Sequence, residues 1–435
     1  MCAPNLPNNR APRADTPALR FLFYSHDGQG LGHIRRNLAI AWELTRMSPN
    51  ASALLATGAN PLEWAGRNSR LDVLKLPELR KVANQRYASR RLRLPEEGIL
   101  ALRSSLLKAA VQTYQPHVLL ADKHPLGLKG ELVEALEALM DLDACAILGL
   151  RDILDTPERV AAEWASEGLP ARITDYYESV LIYGQHELFN PVATYRFPQS
   201  VAGRTSFCGY VVSPNPDPPY GVGADSVGAI RANGHPWVLA TAGGGEDGFL
   251  MLETFMRACA GAPWHGVVVG GPLMSNPEAQ VLRRLAEQTG VQFETRLAEL
   301  GPVLGSVDAV VCMGGYNTLL EALAGALPVV CVPRAQPRAE QLLRAQVFRK
   351  SGLLEFVEPQ DLHPSKLRQL IHAGLGRSRR DLLHRIQTVL RFGGARRAAT
   401  HLLVAAAAVR NRWSAGAPSC RVPAWPALVT GGRGG

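Results

Sequence analysis

Apolar and polar residues alternate in two patterns along most of the chain. Short apolar runs bounded by glycine or proline predict buried strands, and the segments between them carry apolar residues at helical spacing. In the first half we predict strands at 20–25, 53–57, 72–76, 117–121, 145–150 and 180–183, with helices such as 34–47 and 99–114 between them. This alternation is typical of parallel sheets covered by helices.

A break in the pattern divides the chain. The segment VVSPNPDPPYGVGADSVGAIRANGHP, residues 211–236, has four prolines between residues 214 and 219 and several glycines, which excludes regular structure. We therefore predict an interdomain linker at 213–235. The alternation then resumes, with strands predicted at 238–241, 266–269, 291–294, 309–312, 329–332 and 354–357 and helices from 248 and at 277–287, 297–304, 317–325 and 339–350.

The predicted fold is α/β, with two doubly wound Rossmann-like domains that face a cleft. The first domain spans 19–212 and the second 236–412, and the strongly helical stretch 379–413 is expected to pack across both. The ends, 1–18 and 413–435, are predicted to be disordered. Ligands of open parallel sheets bind at the carboxyl ends of the strands, so residues that directly follow strands are the candidates for function.

Composition narrows the classes of partner. A formal net charge of +9 favours anionic ligands, but no basic repeat is interleaved with aromatic residues, which argues against nucleic acid. Seven scattered cysteines without a C-x-x-C pair predict buried, reduced thiols. The chain shows no apolar signal sequence and no run of about 18 apolar residues, so we predict a cytoplasmic protein, with a peripheral position on the inner face of the plasma membrane as a further option.

The stretch SHDGQGLGHIRRNLAIA, residues 25–41, follows the first predicted strand. Gly28, Gly30 and Gly32 permit close backbone approach, and the helix that follows offers free N–H groups to an anion. The spacing G-x-G-x-G-H differs from the dinucleotide pattern G-x-G-x-x-G, which disfavours an NAD site. His33 either packs the turn or acts as a general base at the cleft.

The second domain holds two further turns of this kind. Gly243, Gly244 and Gly245 precede a helix and suit either phosphate binding or a tight turn. In the block CMGGYNTLLEALAGALPVVCVPRAQPRAEQLLRA, residues 312–345, a carboxylate one turn into a helix could accept two hydrogen bonds from a vicinal diol such as a ribose. After the next strand, an acid and an amide could bind sugar hydroxyls. The candidates in this block are Gly314, Gly315, Asn317, Thr318, Glu321, Arg334, Glu340 and Gln341.

This block resembles the donor-binding signature of MurG-like GT-B glycosyltransferases, G-G-x-N-T/S-x-x-E-A followed by G-x-P, V-P-R and E/D-Q-x-x-R/N-A. The G-x-G-H turn resembles the first Gly-rich loop of the same family, so the likeness covers residues 19–410. It implies an acceptor approached from the first domain, through the loop with Gly28, Gly30 and Gly32, and a UDP-sugar held mainly by the second. The implied donor contacts are Gly243 to Gly245 and Gly314 to Thr318 at the diphosphate, Glu321 at the ribose, and Glu340 and Gln341 at the sugar. The loop GGGEDG departs from the family's G-G-S-x-G because it lacks the serine and carries two acids.

Transfer at an anomeric carbon requires a base for the acceptor hydroxyl and stabilisation of the departing diphosphate. His33 is the candidate base. Asp122 ends the strand HVLLAD at the same sheet edge, and plant-type GT-B glycosyltransferases pair a histidine with an aspartate in similar places; capping of the next turn is its alternative role. Helix N-termini and arginines can stabilise the diphosphate, so no metal or other cofactor is expected. The D-L-D at 141–143 precedes a strand, opposite the cleft, and is rejected as a metal site.

One stretch is strongly basic. LRKVANQRYASRRLR, residues 79–93, has no acid among its six basic residues, which are Arg80, Lys81, Arg86, Arg90, Arg91 and Arg93. A solvated loop is the simpler interpretation. Contact with anionic lipid or with a phosphorylated acceptor is the alternative, and MurG-like enzymes use a lipid-linked acceptor at the membrane.

The predicted function is an inverting, metal-independent transfer of a hexose or N-acetylhexosamine from a UDP-sugar to an unidentified acceptor, with a lipid-linked or cell-envelope molecule as one option. Two other functions are compatible with the same motifs. One is a UDP-sugar 2-epimerase of the GT-B type, which needs no acceptor. The other is a non-catalytic protein that binds a nucleotide sugar.

Overall fold

The computed structural model describes residues 18–26, 32–59, 68–83, 86–212, 234–245, 247–295, 297 and 300–415. Within these residues the chain forms two parallel sheets, one from each half of the sequence. Gly28, Gly30 and most of the predicted linker and tails lie outside the described residues.

The first half builds a doubly wound parallel sheet. Its strands are β1 Leu19–Ser25, β2 Ala51–Thr57, β3 Leu71–Lys75, β6 Val118–Asp122, β7 Cys145–Arg151, β8 Ser179–Tyr183 and β9 Thr205–Phe207, with an antiparallel hairpin of β4 Leu79–Ala83 and β5 Arg86–Ser89 beside them. The order in the sheet is β3-β2-β1-β6-β7-β8-β9. Helices cover both faces: α1 Gly32–Met47, α2 Glu96–Tyr114, α3 Val133–Asp141, α4 Pro157–Ser166, α5 Leu169–Tyr176, α6 Pro191–Thr194 and α7 Gln199–Ala202, with a 3-10 turn at Leu128–Gly130.

The second half repeats this architecture. Its strands are β10 Trp237–Thr241, β11 His265–Val269, β12 Gln292–Glu294, β13 Ala309–Cys312, β14 Val329–Cys331 and β15 Glu355–Phe356, in the order β12-β11-β10-β13-β14-β15. The helices are α8 Phe249–Cys259, α9 Asn276–Thr289, α10 Gly301–Leu304, α11 Tyr316–Ala324, α12 Glu340–Lys350, α13 Pro364–Leu375, α14 Arg379–Val389 and α15 Gly394–Ala415, with a 3-10 turn at Pro359–Asp361. The α/β fold with two parallel sheets is therefore confirmed.

The last helix returns to the first sheet. The apolar face of α15 packs on α1 and on β1, β6 and β7, and its residues Ala398, Leu402 and Ala406 are buried there. At its far end Arg412 pairs with Asp143, with 3.2 Å between Nε and Oδ2. Asp143 precedes β7, so the D-L-D sequence lies at the sheet edge opposite the carboxyl ends of the strands.

Two local features differ from the prediction. In the basic stretch 79–93, residues 79–83 and 86–89 form the β4–β5 hairpin where a solvated loop was expected, and the exposed residues 90–93 follow without regular structure. The helical stretch 379–413 is two helices, because the helical conformation is interrupted between α14 and α15. Gly393 in this interruption has a φ of 83°, which favours glycine. The five cysteines among the described residues are buried and free, which agrees with the prediction: Cys145, Cys208, Cys259, Cys312 and Cys331. Of the helices in the described ranges, none is long and apolar enough to cross a membrane.

A buried ion pair ties helix α2 to the first sheet. Arg103 donates to both carboxylate oxygens of Glu131 at 2.5 and 2.7 Å, and the Tyr24 hydroxyl donates to the same carboxylate at 2.5 Å. Both charged side chains are fully buried. Loss of one partner would therefore leave the other charge uncompensated in a dry interior.

We predict that Glu131→Leu destabilises the protein by about 3–5 kcal/mol, because Arg103 keeps its charge without its carboxylate. Chemical unfolding followed by circular dichroism measures the effect. The matched control is Lys108→Gln, which removes an exposed pair that also involves α2, Lys108 to Glu134 of α3 at 3.2 Å, and should cost less than about 1 kcal/mol. Equal effects of the two substitutions would contradict the prediction.

Candidate active site

The carboxyl ends of both sheets face a cavity of about 610 Å³. Its wall includes Arg151 at the end of β7, Thr241 at the end of β10 and Cys312 at the end of β13. The N-terminal ends of α1 and α11 also line it, so the positive ends of two helix dipoles, one from each domain, lie at the same space. A ligand in this cavity would contact both domains.

Two glycine turns of the second domain pack backbone against backbone at the cavity. Gly243 and Gly245 have φ values of 66° and 93°, which side chains rarely tolerate. A Cβ on Gly271 would lie 2.5 Å from the Gly243 carbonyl oxygen, so a side chain there would separate the two turns. The close packing leaves Gly243 and Gly244 exposed at the cavity wall.

The structure brings most of the predicted donor residues to one surface. Two of them are buried and do not line the cavity: Gly314, which has a φ of 77°, and Gly245, which follows the exposed Gly243 and Gly244. Arg334 and Glu340 lie beside the cavity and contact each other. The predicted donor residues that line the cavity are Gly243, Gly244, Gly315, Asn317, Thr318, Glu321 and Gln341.

Glu321 lies one turn into α11 and is paired across the cleft. Arg35 of α1 donates to Glu321 Oε1 at 2.5 Å, while the second oxygen, Oε2, is buried without a hydrogen-bond partner. Burial raises the pKa of Glu321 and the Arg35 charge opposes that rise. Next to this pair, the Asn317 amide donates to the Gly32 carbonyl oxygen at 3.0 Å.

The proposed sugar-binding acid is held by an arginine. Arg334 donates to Glu340 Oε1 at 2.8 Å and to Asp247 Oδ2 at 2.5 Å, and its backbone N–H donates to Gln341 Oε1 at 3.1 Å. Asp247 is one of the two acids that distinguish the GGGEDG loop, and Arg334 balances its charge. Glu340 keeps one buried oxygen, Oε2, without a partner.

His33 and Asp122 lie side by side, as the resemblance implies, but a third residue joins them. His33 Nδ1 is 3.1 Å from Asp122 Oδ1. Arg36, one turn further along α1, donates to both oxygens of Asp122 at 3.2 and 3.0 Å, and its Nη2 also lies 2.6 Å from His33 Nδ1. Asp122 is fully buried, so Arg36 is its counter-ion.

The two contacts of His33 Nδ1 exclude each other as hydrogen bonds. A protonated Nδ1 donates to Asp122, whereas an unprotonated Nδ1 accepts from Arg36. Only the first tautomer leaves Nε2 able to accept a proton from a substrate. Burial, reinforced by Arg36, lowers the pKa of His33 well below its ordinary value, so the ring is neutral at neutral pH.

Two more imidazoles lie next to the His33–Asp122–Arg36 cluster. The His26 ring is centred 5.1 Å from that of His33 and 4.2 Å from that of His124. Burial lowers the pKa of His26 and of His124 well below the ordinary value. Three neutral rings therefore lie where β1 and β6 end.

Arg151 is a cationic residue that the motif search missed. It lines the cavity, and its guanidinium has no hydrogen bond or ion pair with the residues that the structure describes; Nε is buried and unpartnered. Burial lowers its pKa to about 10, and the nearby charges of Arg344 and Arg36 add to the effect. Its place at the end of a predicted strand is the signal that could have identified it.

Comparison with known proteins agrees with this architecture. Residues 275–386 match the glycosyltransferase family 28 C-terminal domain. Short stretches match the UDP-N-acetylglucosamine--N-acetylmuramyl-(pentapeptide) pyrophosphoryl-undecaprenol N-acetylglucosamine transferases of Shouchella clausii, 39% identical over 80 residues, and Clostridium kluyveri, 33% identical over 87 residues. These alignments cover 18% and 19% of this chain and 23% and 25% of those proteins, so the chain spans about a quarter of the length of the curated relatives it matches.

Solved structures match over nearly the whole chain. The calicheamicin glycosyltransferase CalG4 aligns with a TM-score of 0.56 and 16% identity, over 93% of this chain and 100% of that one. Medicago truncatula UGT71G1, complexed with UDP-glucose, aligns at 0.60 with 12% identity, over 89% and 98%. Acinetobacter baumannii MurG aligns at 0.55 with 11% identity, over 89% and 100%.

The two parallel-sheet domains and the cleft between their strand ends are the GT-B fold. Within this fold the second domain is similar to the MurG-like proteins, because residues 275–386 match the glycosyltransferase family 28 C-terminal domain and a stretch of 80 residues matches the Shouchella clausii transferase. The resemblance predicted from the sequence is confirmed.

Proposed function

We propose that the chain transfers a sugar from a UDP-sugar to an acceptor hydroxyl, with inversion at the anomeric carbon and without a metal. One observation carries the proposal. Buried polar atoms in and beside the cavity lack partners in the described structure: Glu321 Oε2, Glu340 Oε2 and Arg151 Nε. Such atoms are costly unless a ligand satisfies them, and a nucleotide sugar offers hydroxyls to the acids and phosphate oxygens to the arginine.

The second domain would hold the donor. Glu321 Oε2 would accept from the ribose diol, and Glu340 with Gln341 would bind the hydroxyls of the sugar. The diphosphate would lie beside the Gly243–Gly244 turn and at the start of α11, whose helix dipole and first N–H groups favour an anion. The family 28 match over this domain supports the assignment.

The first domain would supply the base and part of the charge stabilisation. His33 would act in the tautomer whose protonated Nδ1 donates a hydrogen bond to Asp122. Its Nε2 would take the acceptor proton as the hydroxyl attacks the anomeric carbon. The bond from that carbon to the diphosphate breaks, and Arg151 would stabilise the negative charge that develops on the leaving group. One displacement inverts the anomeric configuration.

A two-stage experiment tests the proposal. A thermal-shift screen of UDP-, GDP-, ADP- and dTDP-sugars should give the largest stabilisation with a UDP-sugar, because a ligand that binds only the folded state raises its apparent stability. UDP release is then measured across acceptors, and NMR of the product reports its anomeric configuration. No stabilisation by any nucleotide, or a product with retained configuration, would contradict the proposal.

The same samples separate the two alternative functions. An epimerase would convert UDP-N-acetylglucosamine alone into a new epimer. A binding protein would be stabilised by the nucleotide sugar and release no UDP with any acceptor. The neutral His33 beside Asp122 favours catalysis, since a binding site has no use for a base at that position.

We also propose that the β4–β5 hairpin and the residues after it contact an anionic membrane. Arg80, Arg91 and Arg93 are exposed, and Leu92 and Leu94 between and beside them are 46% and 41% exposed. Arg90 pairs with Glu78, with 3.5 Å between Nη1 and Oε2, and the side chains of Lys81 and Arg86 lie outside those described. Arginines interleaved with exposed leucines suit an anionic lipid surface.

The triple variant Arg80→Gln, Arg91→Gln, Arg93→Gln should bind vesicles of phosphatidylglycerol and phosphatidylcholine about 100-fold more weakly, since each basic residue at such a surface contributes about 1 kcal/mol. Sedimentation with vesicles at low salt measures the affinity. The control triple Arg257→Gln, Arg284→Gln, Arg380→Gln removes three exposed arginines of the second domain. It therefore lowers the net charge of the protein by the same amount. Equal losses in both triples would show a non-specific charge effect and contradict the assignment.

A further inference from the structure

The Arg35–Glu321 pair joins the two domains at the donor site. Arg35 lies on α1 of the first domain and Glu321 on α11 of the second, and their contact of 2.5 Å joins residues 286 positions apart. The Arg35 side chain is 26% exposed and that of Glu321 is 9% exposed. The Asn317–Gly32 hydrogen bond holds the same two helix starts together.

The pair uses only one of the two oxygens of the Glu321 carboxylate. Arg35 occupies Oε1, and Oε2 is buried at the cavity wall with no partner. A bridge that served only to join the domains would leave that oxygen desolvated at a cost. Glu321 itself lines the cavity, so a ligand hydroxyl bound there could satisfy the unpaired oxygen.

Arg35 also sets the protonation of this carboxyl. Burial favours the neutral acid, and the guanidinium opposes this by stabilising the charged form. A carboxylate is the stronger hydrogen-bond acceptor, and its rotamer is fixed by the bond to Arg35. Arg35 therefore favours an ionised and oriented acceptor for a ligand hydroxyl.

We propose that Arg35 is a positioning residue for the nucleotide, holding Glu321 ionised with Oε2 directed at the ribose diol. The inference rests on the proposed function, in which Glu321 binds the ribose. Since Arg35 comes from the first domain, the ribose site is complete only when the two domains are in contact. Nucleotide binding then favours the closed cleft.

Calorimetric titration with UDP and with 2′,3′-dideoxy-UDP distinguishes this role from a structural one. Arg35→Gln should weaken UDP binding by about tenfold at neutral pH, because the carboxyl loses its charged partner. Binding of the dideoxy nucleotide should change by less than about twofold, since it has no diol for Oε2 to accept from.

The pH profile gives a second readout. In Arg35→Gln we expect a higher pKa for Glu321. As the pH is lowered from 8, the UDP affinity of this variant should therefore begin to fall at a higher pH than that of the wild-type protein. Arg35→Lys retains the charge and should retain the wild-type profile. Arg46→Gln is the matched control, because Arg46 lies on the same helix, is exposed and pairs with Glu43.

Three results would overturn the inference: equal weakening of UDP and dideoxy-UDP by Arg35→Gln, tighter UDP binding by that variant, or the same effect from Arg46→Gln. The second would show that Arg35 competes with the ribose. Absence of UDP binding by the wild-type protein would instead overturn the proposed function itself. Circular dichroism melts verify that each variant is folded.

Discussion

His33→Ala is expected to lower the rate of sugar transfer by about 10²- to 10⁴-fold while leaving UDP affinity unchanged. The substitution removes the base but no group that the donor contacts in the proposed complex. Turnover is measured as UDP release with a saturating acceptor, and UDP affinity by calorimetry. Normal transfer by the purified variant would show that His33 is not the base.

The pH dependence of the wild-type enzyme tests the same assignment. The neutral imidazole is the active form, and burial with the Arg36 charge lowers the pKa of His33 well below 6.5. The rate should therefore persist below pH 6.5 and fall only as the pH drops through that lower value. An acid limb at or above pH 6.5 would contradict a buried His33 as the base.

Asp122→Asn is the companion variant. An amide can present a donor to Nδ1 in place of an acceptor, which favours the tautomer that cannot take a proton at Nε2. We expect a lower rate of transfer without a change in UDP affinity. This result would support the orienting role of Asp122 over its alternative role, capping of the next turn. The asparagine is nearly isosteric, although Arg36 loses its counter-ion.

Glu321→Ala is expected to weaken UDP binding by about 10- to 100-fold, because a hydrogen bond to a charged group contributes roughly 1.5–3 kcal/mol. The substitution also leaves Arg35 without its partner at the cleft. Calorimetric titration with UDP measures the effect.

A matched control and a conservative change sharpen this result. Glu253→Ala removes a half-buried acid of the same domain whose ion pair, among the described residues, lies within its own helix, with Arg257 at 2.8 Å, and should leave UDP affinity unchanged. Glu321→Gln keeps an acceptor oxygen and should show a smaller loss than alanine. Unchanged affinity in Glu321→Ala would remove the ribose assignment.

The fold was predictable because buried parallel strands leave continuous apolar runs in the sequence. The runs at 20–25 and 309–312, for example, became β1 and β13 within a residue of their predicted bounds. The β4–β5 hairpin was not predictable in this way, since its pairing leaves no apolar run among the arginines. Strand ends located His33, Asp122 and the GGYNT turn for the same topological reason.

The charged contacts of the site were not predictable. Arg36 is one of two adjacent arginines on α1, and nothing in the local pattern says that it reaches Asp122, 86 positions away. Arg35 reaches the other domain, so its partner depends on how the two sheets are placed relative to each other. A hydrophobic pattern records which face is buried and carries no information on which charges meet across a cleft.

The return of α15 to the first sheet means that the chain passes between the domains twice. The second passage lies against the end of the first domain. There the Tyr210 N–H donates to the Arg391 carbonyl oxygen, and the Gly394 N–H donates to the Tyr210 carbonyl oxygen, both at 2.9 Å. A single proteolytic cut within 213–233 would separate the chain into two fragments, but the carboxyl-terminal fragment would keep α15. Because α15 packs on the first domain, we expect the two fragments to stay associated without a covalent link. A fragment that ends at 212 would lack the apolar cover of α1, so a separately expressed first domain has to include 394–415 as a second piece.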